Sequence, residues 1–300
     1  MKILVSGASG GVGRSLLPAL AAGGHQITRL KTGVAAAAGD IRWNPLEPIA
    51  QQSVNGFDGV IHLAGENIFA LWSGNKKRAI YESRVTGTRN LSLALASAER
   101  KPRVLLAASA IGYYGAKHGN EFLDETSAAG DDFLAKVCRD WEAATLAAAQ
   151  AGIRVVNLRF GVVLSREAGA LAKMLTPFKL GLGGLIGRGR QWLSWISIHD
   201  VVAAILHCLA TESLHGPVNV SSPNAVTNAE FTRTFGEVLH RPAFMRVPEF
   251  ALKTILGREM AENTVLASQR VQPKKLLASG FQFRSELLRS ALNEVLRPGD

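Results

Sequence analysis

The chain begins with MKILVSGASGGVGRSLLPAL, residues 1–20, and this stretch decides the fold. The apolar run at positions 3 to 5 is typical of a buried strand, and from position 12 onward apolar residues recur at helical spacing. Between these segments, Gly7, Gly10 and Gly13 follow the spacing G-x-x-G-x-x-G. Glycines placed between a strand and a helix predict a dinucleotide-binding turn, whereas the alternative is an ordinary turn rich in glycine.

This glycine-rich turn suits a diphosphate for two physical reasons. Glycine adopts backbone conformations that a side chain forbids, and it lets an anion approach the main chain closely. The first turn of the following helix offers free N–H groups and the positive end of the helix dipole. The residues predicted to contact the cofactor here are Gly7, Ser9, Gly10, Gly11, Val12 and Gly13.

The end of the second predicted strand, residues 26–31, indicates which dinucleotide binds. In folds of this kind an acidic residue at this point binds the 2′-hydroxyl of NAD. This chain has Leu30, Lys31 and Thr32 instead, and Lys31 would attract the 2′-phosphate that a carboxylate would repel. The sequence therefore favours NADP over NAD, with Lys31 and Thr32 at the site. The alternative is that Lys31 is a solvated loop residue.

Strands and helices alternate through the first half of the chain. The predicted elements are strands at 60–65, 103–108 and 154–158 and helices at 76–99 and 131–151. This alternation predicts an α/β fold, a Rossmann-type doubly wound parallel sheet that binds its ligand at the carboxyl ends of the strands. Further residues predicted to contact the cofactor follow these strands and are Leu63, Ala64, Gly65 and Val162.

The alternation ends after Leu164. The glycine-rich segment 181–189 lacks the strand and helix of a second nucleotide motif, so we expect a loop that faces the substrate. The predicted domains are an NADP-binding Rossmann domain at 1–164, completed by about 196–222, and a smaller C-terminal α+β substrate domain at 165–195 and 223–300.

Composition excludes several classes of protein. No apolar run approaches the roughly 20 residues that span a bilayer, and the first apolar run is too short for a signal peptide, so we expect a cytoplasmic protein without a membrane partner. The formal net charge is +10, but the basic residues are scattered, which favours an anionic cofactor or substrate over nucleic acid. Two cysteines imply no disulfide framework, and no cluster has the spacing of metal ligands.

Several motifs together resemble a known family. They are Gly7–Gly13, Leu63–Ile68, Ser83–Thr88, Ser109–Gly115, Trp141–Glu142, Leu193–Asp200 and Arg270–Pro273. The chain resembles the extended form of the short-chain dehydrogenase/reductase superfamily, and more closely its atypical branch of epimerase family proteins with a C-terminal domain of unknown function. The resemblance implies a Rossmann fold, a dinucleotide cofactor, a small-molecule substrate, and a monomer or homodimer.

The usual machinery of that superfamily is a Ser, a Tyr and Lys four residues apart, and often an Asn. By resemblance, Ser109 takes the Ser position and Arg84 the Asn position, where Arg84 would hold cofactor or substrate charge. When the sequences are aligned on Glu142, Leu134 falls at the Tyr position and Cys138 at the Lys position. The standard proton donor is therefore absent, which indicates a non-standard active site.

The catalytic candidates are Ser109, Tyr113, Tyr114 and Cys138. Ser109 is suited to hydrogen-bond a substrate oxygen, or it caps a loop. Either tyrosine replaces the missing proton donor only if Arg84 lies close enough to lower the phenol pKa from its ordinary value of about 10; otherwise it packs structurally. Cys138 would need a depressed pKa to act as a nucleophile, and its place on one helical stripe with Trp141 favours a buried structural role.

The predicted function is an NADP-dependent oxidoreductase that acts on an unidentified small carbonyl or hydroxyl substrate. Two alternatives stay open. A nucleotide-sugar epimerase would keep its NAD(P) bound and cause no net change in it. A non-catalytic NADP-binding regulatory or sensor protein would account for the missing Tyr–Lys pair.

Overall fold

The computed structural model describes residues 1–33 and 39–297. Its strands are β1 (Lys2–Ser6), β2 (Gln26–Lys31), β3 (Ile41–Arg42), β4 (Gly59–His62), β5 (Val104–Ala110), β6 (Lys117–Leu123), β7 (Arg154–Phe160), β8 (Val162–Leu164), β9 (Gly184–Ile186), β10 (Trp192–Leu193), β11 (Trp195–Ser197), β12 (Gly216–Val220), β13 (Val226–Thr227), β14 (Met245–Val247) and β15 (Ser268–Val271). Its α-helices are α1 (Gly11–Ala22), α2 (Gly74–Ser97), α3 (Phe133–Ala143), α4 (Leu146–Gln150), α5 (Gly169–Lys179), α6 (Ile198–Ala210), α7 (Asn228–Leu239), α8 (Glu249–Leu256), α9 (Arg258–Asn263), α10 (Lys274–Ala278) and α11 (Leu288–Val295).

Strands from residues 2–220 form a seven-stranded parallel sheet with the strand order β12-β7-β5-β4-β1-β2-β3. Strand β1 pairs in parallel with β2 on one side and with β4 on the other. The strand order therefore reverses beside β1, and in open α/β sheets such a reversal creates a ligand crevice at the carboxyl ends of the strands. The predicted Rossmann-type doubly wound fold is confirmed.

The strands that border this crevice are buried. All four residues of β4 are buried, and so are residues 3–6 of β1, as expected where helices cover both faces of a sheet. On one face, Leu4 and Val60 belong to a core cluster that also contains Leu91 and Leu95 of α2. This packing fixes the strand ends, and the segments that follow β1 and β4 leave the sheet beside each other.

One predicted helix, residues 131–151, is interrupted. The structure has α3 and α4 there, separated at Ala144 and Thr145. The Thr145 hydroxyl donates a hydrogen bond of 2.7 Å to the carbonyl oxygen of Glu142, and the Thr145 N–H donates to the same oxygen at 3.2 Å. Such local side-chain hydrogen bonds compete with the backbone hydrogen bonds of an α-helix. The prediction of one continuous helix was therefore wrong at this turn.

The glycine-rich segment 181–189, predicted as a loop, contains strand β9. It pairs in parallel with β14, and Gly184 lies opposite Met245. A Cβ atom on Gly184 would lie only 2.1 Å from the Met245 carbonyl oxygen. Glycine at this position therefore permits a close approach of two strands, a pairing that local sequence does not reveal.

The chain divides into two compact units. Unit 1 consists of Met1–Ser109, Val137–Leu158 and Val202–Val218, and unit 2 consists of Ala110–Lys136, Arg159–Val201 and Asn219–Asp300. Unit 1 holds most of the central sheet, with α1 and α2. Unit 2 holds four two-stranded pairs, β6 with β15, β8 with β11, β9 with β14 and β10 with β13. The domain boundaries proposed from the sequence stay a prediction.

Over the described residues, none of the helices combines the length and the apolar character needed to cross a membrane. The same part of the chain contains no group of three or more His, Cys, Asp or Glu side chains placed to hold a metal ion.

Candidate functional site

The glycine-rich turn after β1 packs tightly against the segment after β4. Gly7 has a φ of +71°, and a Cβ atom there would lie 2.5 Å from the backbone carbonyl carbon of Leu63. A Cβ atom on Gly13 would lie 2.4 Å from the Gly7 carbonyl oxygen. Helix α1 starts at Gly11, and no side chain caps its N-terminus at Gly10. The first-turn N–H groups therefore carry no side-chain cap, the arrangement that suits an anion.

Beside this turn, unit 1 contains a cavity of about 560 Å³. Its lining residues are Gly7, Ala8, Ser9, Gly10, Leu30, Lys31, Thr32, Trp43, Asn44, Pro45, Leu46, Leu63, Ala64, Gly65, Glu66, Ala79, Glu82 and Ser83. The cavity brings together three segments that the sequence singled out, namely the glycine-rich turn, the end of β2 and the segment after β4. The contribution of residues 43–46 was missed, because nothing in the sequence indicated that the short strand β3 lies beside β2.

The remaining residues predicted to contact the cofactor lie outside this lining. Gly11 and Val12 begin α1, and Gly13 packs against the backbone of Gly7 and Ala8. Val162 lies in unit 2, where it pairs with Trp195 of β11. The structure therefore does not place Val162 in the lining of this cavity.

The charges at the end of β2 involve an acid that the sequence analysis did not consider. Asp40, with only 4% of its side chain exposed, accepts two hydrogen bonds from Arg29, at 2.7 and 3.0 Å. The Lys31 ammonium lies 3.7 Å from the same carboxylate. Lys31 lines the cavity, whereas Arg29 and Asp40 are not part of its lining. One carboxylate, Asp40, is therefore shared by two cations, Arg29 and Lys31.

Arg84 of α2 lies beneath the segment after β4. Its guanidinium donates to the carbonyl oxygens of Glu66 at 2.9 Å and Ile80 at 3.3 Å, and it lies 5.1 Å from the centre of the Trp141 ring. A Cβ atom on Gly65 would lie 3.2 Å from the guanidinium carbon, so the small residue at 65 makes room for this arginine. Burial lowers the pKa of Arg84. Its observed contacts position the backbone that lines the cavity.

Ser109 is paired with a carboxylate. The Ser109 hydroxyl, at the end of β5, donates a hydrogen bond of 2.7 Å to Oε1 of Glu142 on α3. Ser109 is only 2% exposed, whereas Glu142 is half-buried. In the sequence analysis Glu142 served only to align the motif. The missed signal was the Trp141–Glu142 motif itself, which places a carboxylate on α3 within hydrogen-bond distance of Ser109.

The two candidate tyrosines occupy different environments in unit 2. Tyr114 is fully buried, donates to Oδ1 of Asn219 at 2.7 Å and accepts from Arg159 at 3.1 Å. Burial raises the pKa of Tyr114 to about 12, against the attraction of Arg159. A phenol held protonated in this way is poorly suited to proton transfer near neutrality. Tyr113 is half-buried, with the Arg159 guanidinium 3.5 Å from the centre of its ring.

The cysteines are buried thiols. Cys138, on α3, is 4% exposed, which matches the structural role that its helical stripe favoured. Burial raises the pKa of Cys208 to about 12. Arg84 lies near Cys138 and Arg154 near Cys208, but both thiols are buried, whereas a reactive thiol is usually partly exposed.

Between β4 and α2, a fully buried histidine links the sheet to the neighbouring helices. His62 lies 2.6 Å from the Ser6 hydroxyl through Nδ1 and 2.9 Å from the Thr88 hydroxyl through Nε2. Thr88 also accepts a hydrogen bond of 2.8 Å from the Trp141 indole. This chain of polar contacts ties the ends of β1 and β4 to α2 and α3. Burial lowers the pKa of His62 to about 4.

Stability is expected to fall as the pH is lowered from 7 to 5. The folded-state pKa of His62 is about 4, below its ordinary value of 6.5, so between these values the unfolded chain binds a proton that the folded chain does not. Because of this difference in proton binding, the free energy of unfolding is about 2 kcal/mol lower at pH 5 than at pH 7. Urea denaturation at the two pH values measures it.

The control is the half-buried His207, whose pKa is also lowered by burial. His62→Gln should flatten the pH dependence, whereas His207→Gln should keep most of it. An unchanged slope in His62→Gln would contradict the burial of a neutral imidazole at this position.

Comparison with known proteins identifies the family of this chain. Residues 3–221 match the model of the NAD dependent epimerase/dehydratase family, and residues 247–295 match a domain of unknown function, DUF1731. An epimerase family protein of Mycobacterium leprae is 41% identical over 293 residues, covering 97% of this chain and 94% of its own length. The human epimerase family protein SDR39U1 is 36% identical over 302 residues, covering 99% of this chain and 100% of its own.

Two crystal structures extend the comparison. Human SDR39U1 (isoform 2) with NADPH matches with a TM-score of 0.90 at 34% identity, over 98% of this chain and 99% of that one. A nucleoside-diphosphate sugar epimerase from Corynebacterium glutamicum matches with a TM-score of 0.81 at 36% identity, over 98% of this chain and 58% of that one. These matches confirm the resemblance to the atypical short-chain dehydrogenase/reductase branch. The chain belongs to the NAD dependent epimerase/dehydratase family.

Proposed function

We propose that this chain binds NADP(H) in the cavity of unit 1 and acts as an oxidoreductase on a small carbonyl or hydroxyl compound. The observation that carries the proposal is the cavity itself, which joins an uncapped helix N-terminus, a glycine-rich turn and the end of β2. The crystal structure of human SDR39U1, 34% identical to this chain, contains NADPH, which supports the choice of cofactor.

The residues of the cavity fit a dinucleotide at both of its charged parts. The first turn of α1, with Ser9 and Gly10 at its start, would hold the diphosphate through backbone N–H groups. Lys31 and Thr32 at the end of β2 would face the adenosine ribose and its 2′-phosphate. The bound cofactor supplies or accepts a hydride, and the protein must supply the matching proton transfer.

We assign that proton transfer to the pair Ser109 and Glu142. Glu142 is the more exposed of the two, so its carboxylate would take the proton from a substrate hydroxyl, or return it to the carbonyl oxygen in the reverse direction. The 2.7 Å hydrogen bond from Ser109 holds this carboxylate in one orientation. The pair would stand in for the Tyr and Lys positions that Leu134 and Cys138 occupy.

The cofactor assignment is tested by Lys31→Glu. Placing a carboxylate at the cavity rim repels the 2′-phosphate, so the wild type should prefer NADPH and the variant should prefer NADH. Removing a charged contact of this kind changes affinity by roughly tenfold or more. Titration calorimetry with both cofactors measures the change.

Lys101→Glu is the matched control, because Lys101 is an exposed lysine outside the cavity lining and its replacement alters the net charge equally. Equal and weak binding of both cofactors by the wild type would contradict the NADP assignment. It would also favour a different role for the cavity.

A second function, epimerisation of a nucleotide sugar, is favoured by the relative from Corynebacterium glutamicum, which is described as a nucleoside-diphosphate sugar epimerase. An epimerase returns the hydride to the same molecule, so it predicts a cofactor that remains bound through purification and no net consumption of NADPH. A non-catalytic sensor would also leave NADPH unconsumed, but it would convert no nucleotide sugar. Bound nucleotide in the purified protein identifies the epimerase, and NADPH oxidation with carbonyl compounds separates the oxidoreductase from the sensor.

A further inference from the structure

Unit 2 contains an arginine held between two aromatic rings. The Arg270 guanidinium, on β15, lies 3.9 Å from the ring centre of Phe122 and 4.1 Å from that of Trp192. Phe122 is the residue directly opposite Arg270 on the neighbouring strand β6. Both rings therefore lie within cation–π distance of the guanidinium, a contact that does not use its N–H donors.

Those donors face solvent. Within residues 1–33 and 39–297, no hydrogen bond or ion pair involves the Arg270 side chain, and none of its nitrogen atoms belongs to the buried polar atoms that lack a partner. Atoms that are neither bonded nor buried are accessible to water. Arg270 thus differs from the buried Arg159 and from the ion-paired Arg29, whose guanidinium groups are engaged within the protein.

Two further polar groups lie around the same tryptophan. The Trp192 indole donates to Oδ1 of Asn120 at 2.9 Å, which fixes the orientation of that amide and leaves its NH₂ group as a donor. The Ser268 hydroxyl accepts from the Trp192 backbone N–H at 3.1 Å, so its own hydrogen remains to be donated. Arg270, Asn120 and Ser268 therefore place hydrogen-bond donors around Trp192.

We propose that Arg270, assisted by Asn120 and Ser268, forms a binding site for a carboxylate or phosphate group of a ligand. The planar guanidinium matches the geometry of either oxyanion through two parallel N–H···O bonds. The contacts with Phe122 and Trp192 restrict the Arg270 side chain before the ligand arrives, so less side-chain entropy is lost on binding. This site is formed within unit 2 and is assigned independently of the cofactor cavity.

The test uses the indole N–H resonance of Trp192 in the full-length protein, identified by its loss in Trp192→Phe. Inorganic phosphate and succinate are titrated separately at constant ionic strength. A saturable shift with phosphate assigns a phosphorylated ligand, and one with succinate assigns a carboxylate ligand. Arg270→Gln should weaken the binding at least tenfold, and Arg270→Lys, which keeps the charge but loses the planar fork, should weaken it less.

Arg233→Gln is the matched control, because Arg233 is an arginine of the same unit with 71% of its side chain exposed, and this variant should bind as the wild type does. Thermal unfolding shows whether Arg270→Gln remains folded; if it does not, Arg270→Lys carries the comparison. Absence of a saturable shift with both anions, or equal binding by wild type and the Arg270 variants, would overturn the proposal.

Discussion

Gly7→Ala is expected to be the most damaging single-methyl substitution in the cofactor cavity. At φ +71° an alanine is strained by about 1–2 kcal/mol. Its Cβ would also lie 2.5 Å from the Leu63 carbonyl carbon and 2.7 Å from the Ala64 nitrogen, which are backbone atoms that cannot rotate away. Overpacking of this kind costs a further ~1–3 kcal/mol.

The same substitution should weaken NADPH binding, because relief of the clash separates the turn after β1 from the segment after β4. Both segments line the cavity. We expect the unfolding free energy to fall by roughly 3 kcal/mol in total, and NADPH affinity to fall at least tenfold. Urea denaturation and titration calorimetry measure the two effects.

Gly24→Ala is the matched control. Gly24 has nearly the same φ, +72°, but a Cβ atom there meets no other atom within 4 Å. It should therefore show the backbone strain alone, about 1 kcal/mol, and bind NADPH as the wild type does. Equal destabilisation in the two variants would show that the contact with Leu63 is not what requires glycine at position 7.

Glu142→Gln is expected to abolish most turnover while leaving NADPH binding intact. Glutamine keeps the shape of the side chain and can still accept the Ser109 hydrogen bond, but it no longer takes up a proton. General acid–base groups contribute about 10²–10⁴-fold to rate, so we expect a loss in that range. The assay is NADPH oxidation with a panel of small aldehydes and ketones.

Glu99→Gln removes the same charge from an exposed carboxylate that follows α2, and it should leave both properties unchanged. Unchanged turnover in Glu142→Gln would remove this residue from the proposed proton transfer. If none of the panel compounds supports NADPH oxidation by the wild type, the oxidoreductase proposal is contradicted. The epimerase and sensor alternatives are then favoured.

Much of the Rossmann half was predictable because its signals are local. Strand β2 was predicted with the observed bounds, and α2 was placed within two residues at each end, since apolar periodicity and glycine positions act over a few neighbouring residues. The cavity segments at Gly7, Lys31 and Leu63 followed from one rule, that ligands bind at the carboxyl ends of parallel strands.

The sequence by itself determined the Rossmann sheet and the glycine-rich turn, and its resemblance to the superfamily places Leu134 and Cys138 at the usual Tyr and Lys positions. Only the tertiary structure decided which side chains meet. Ser109 and Glu142 are 33 positions apart, Tyr114 and Asn219 are 105 apart, and Arg270 stacks between rings from two distant strands. Such contacts depend on the pairing of segments that are remote in sequence, and no local periodicity encodes that pairing.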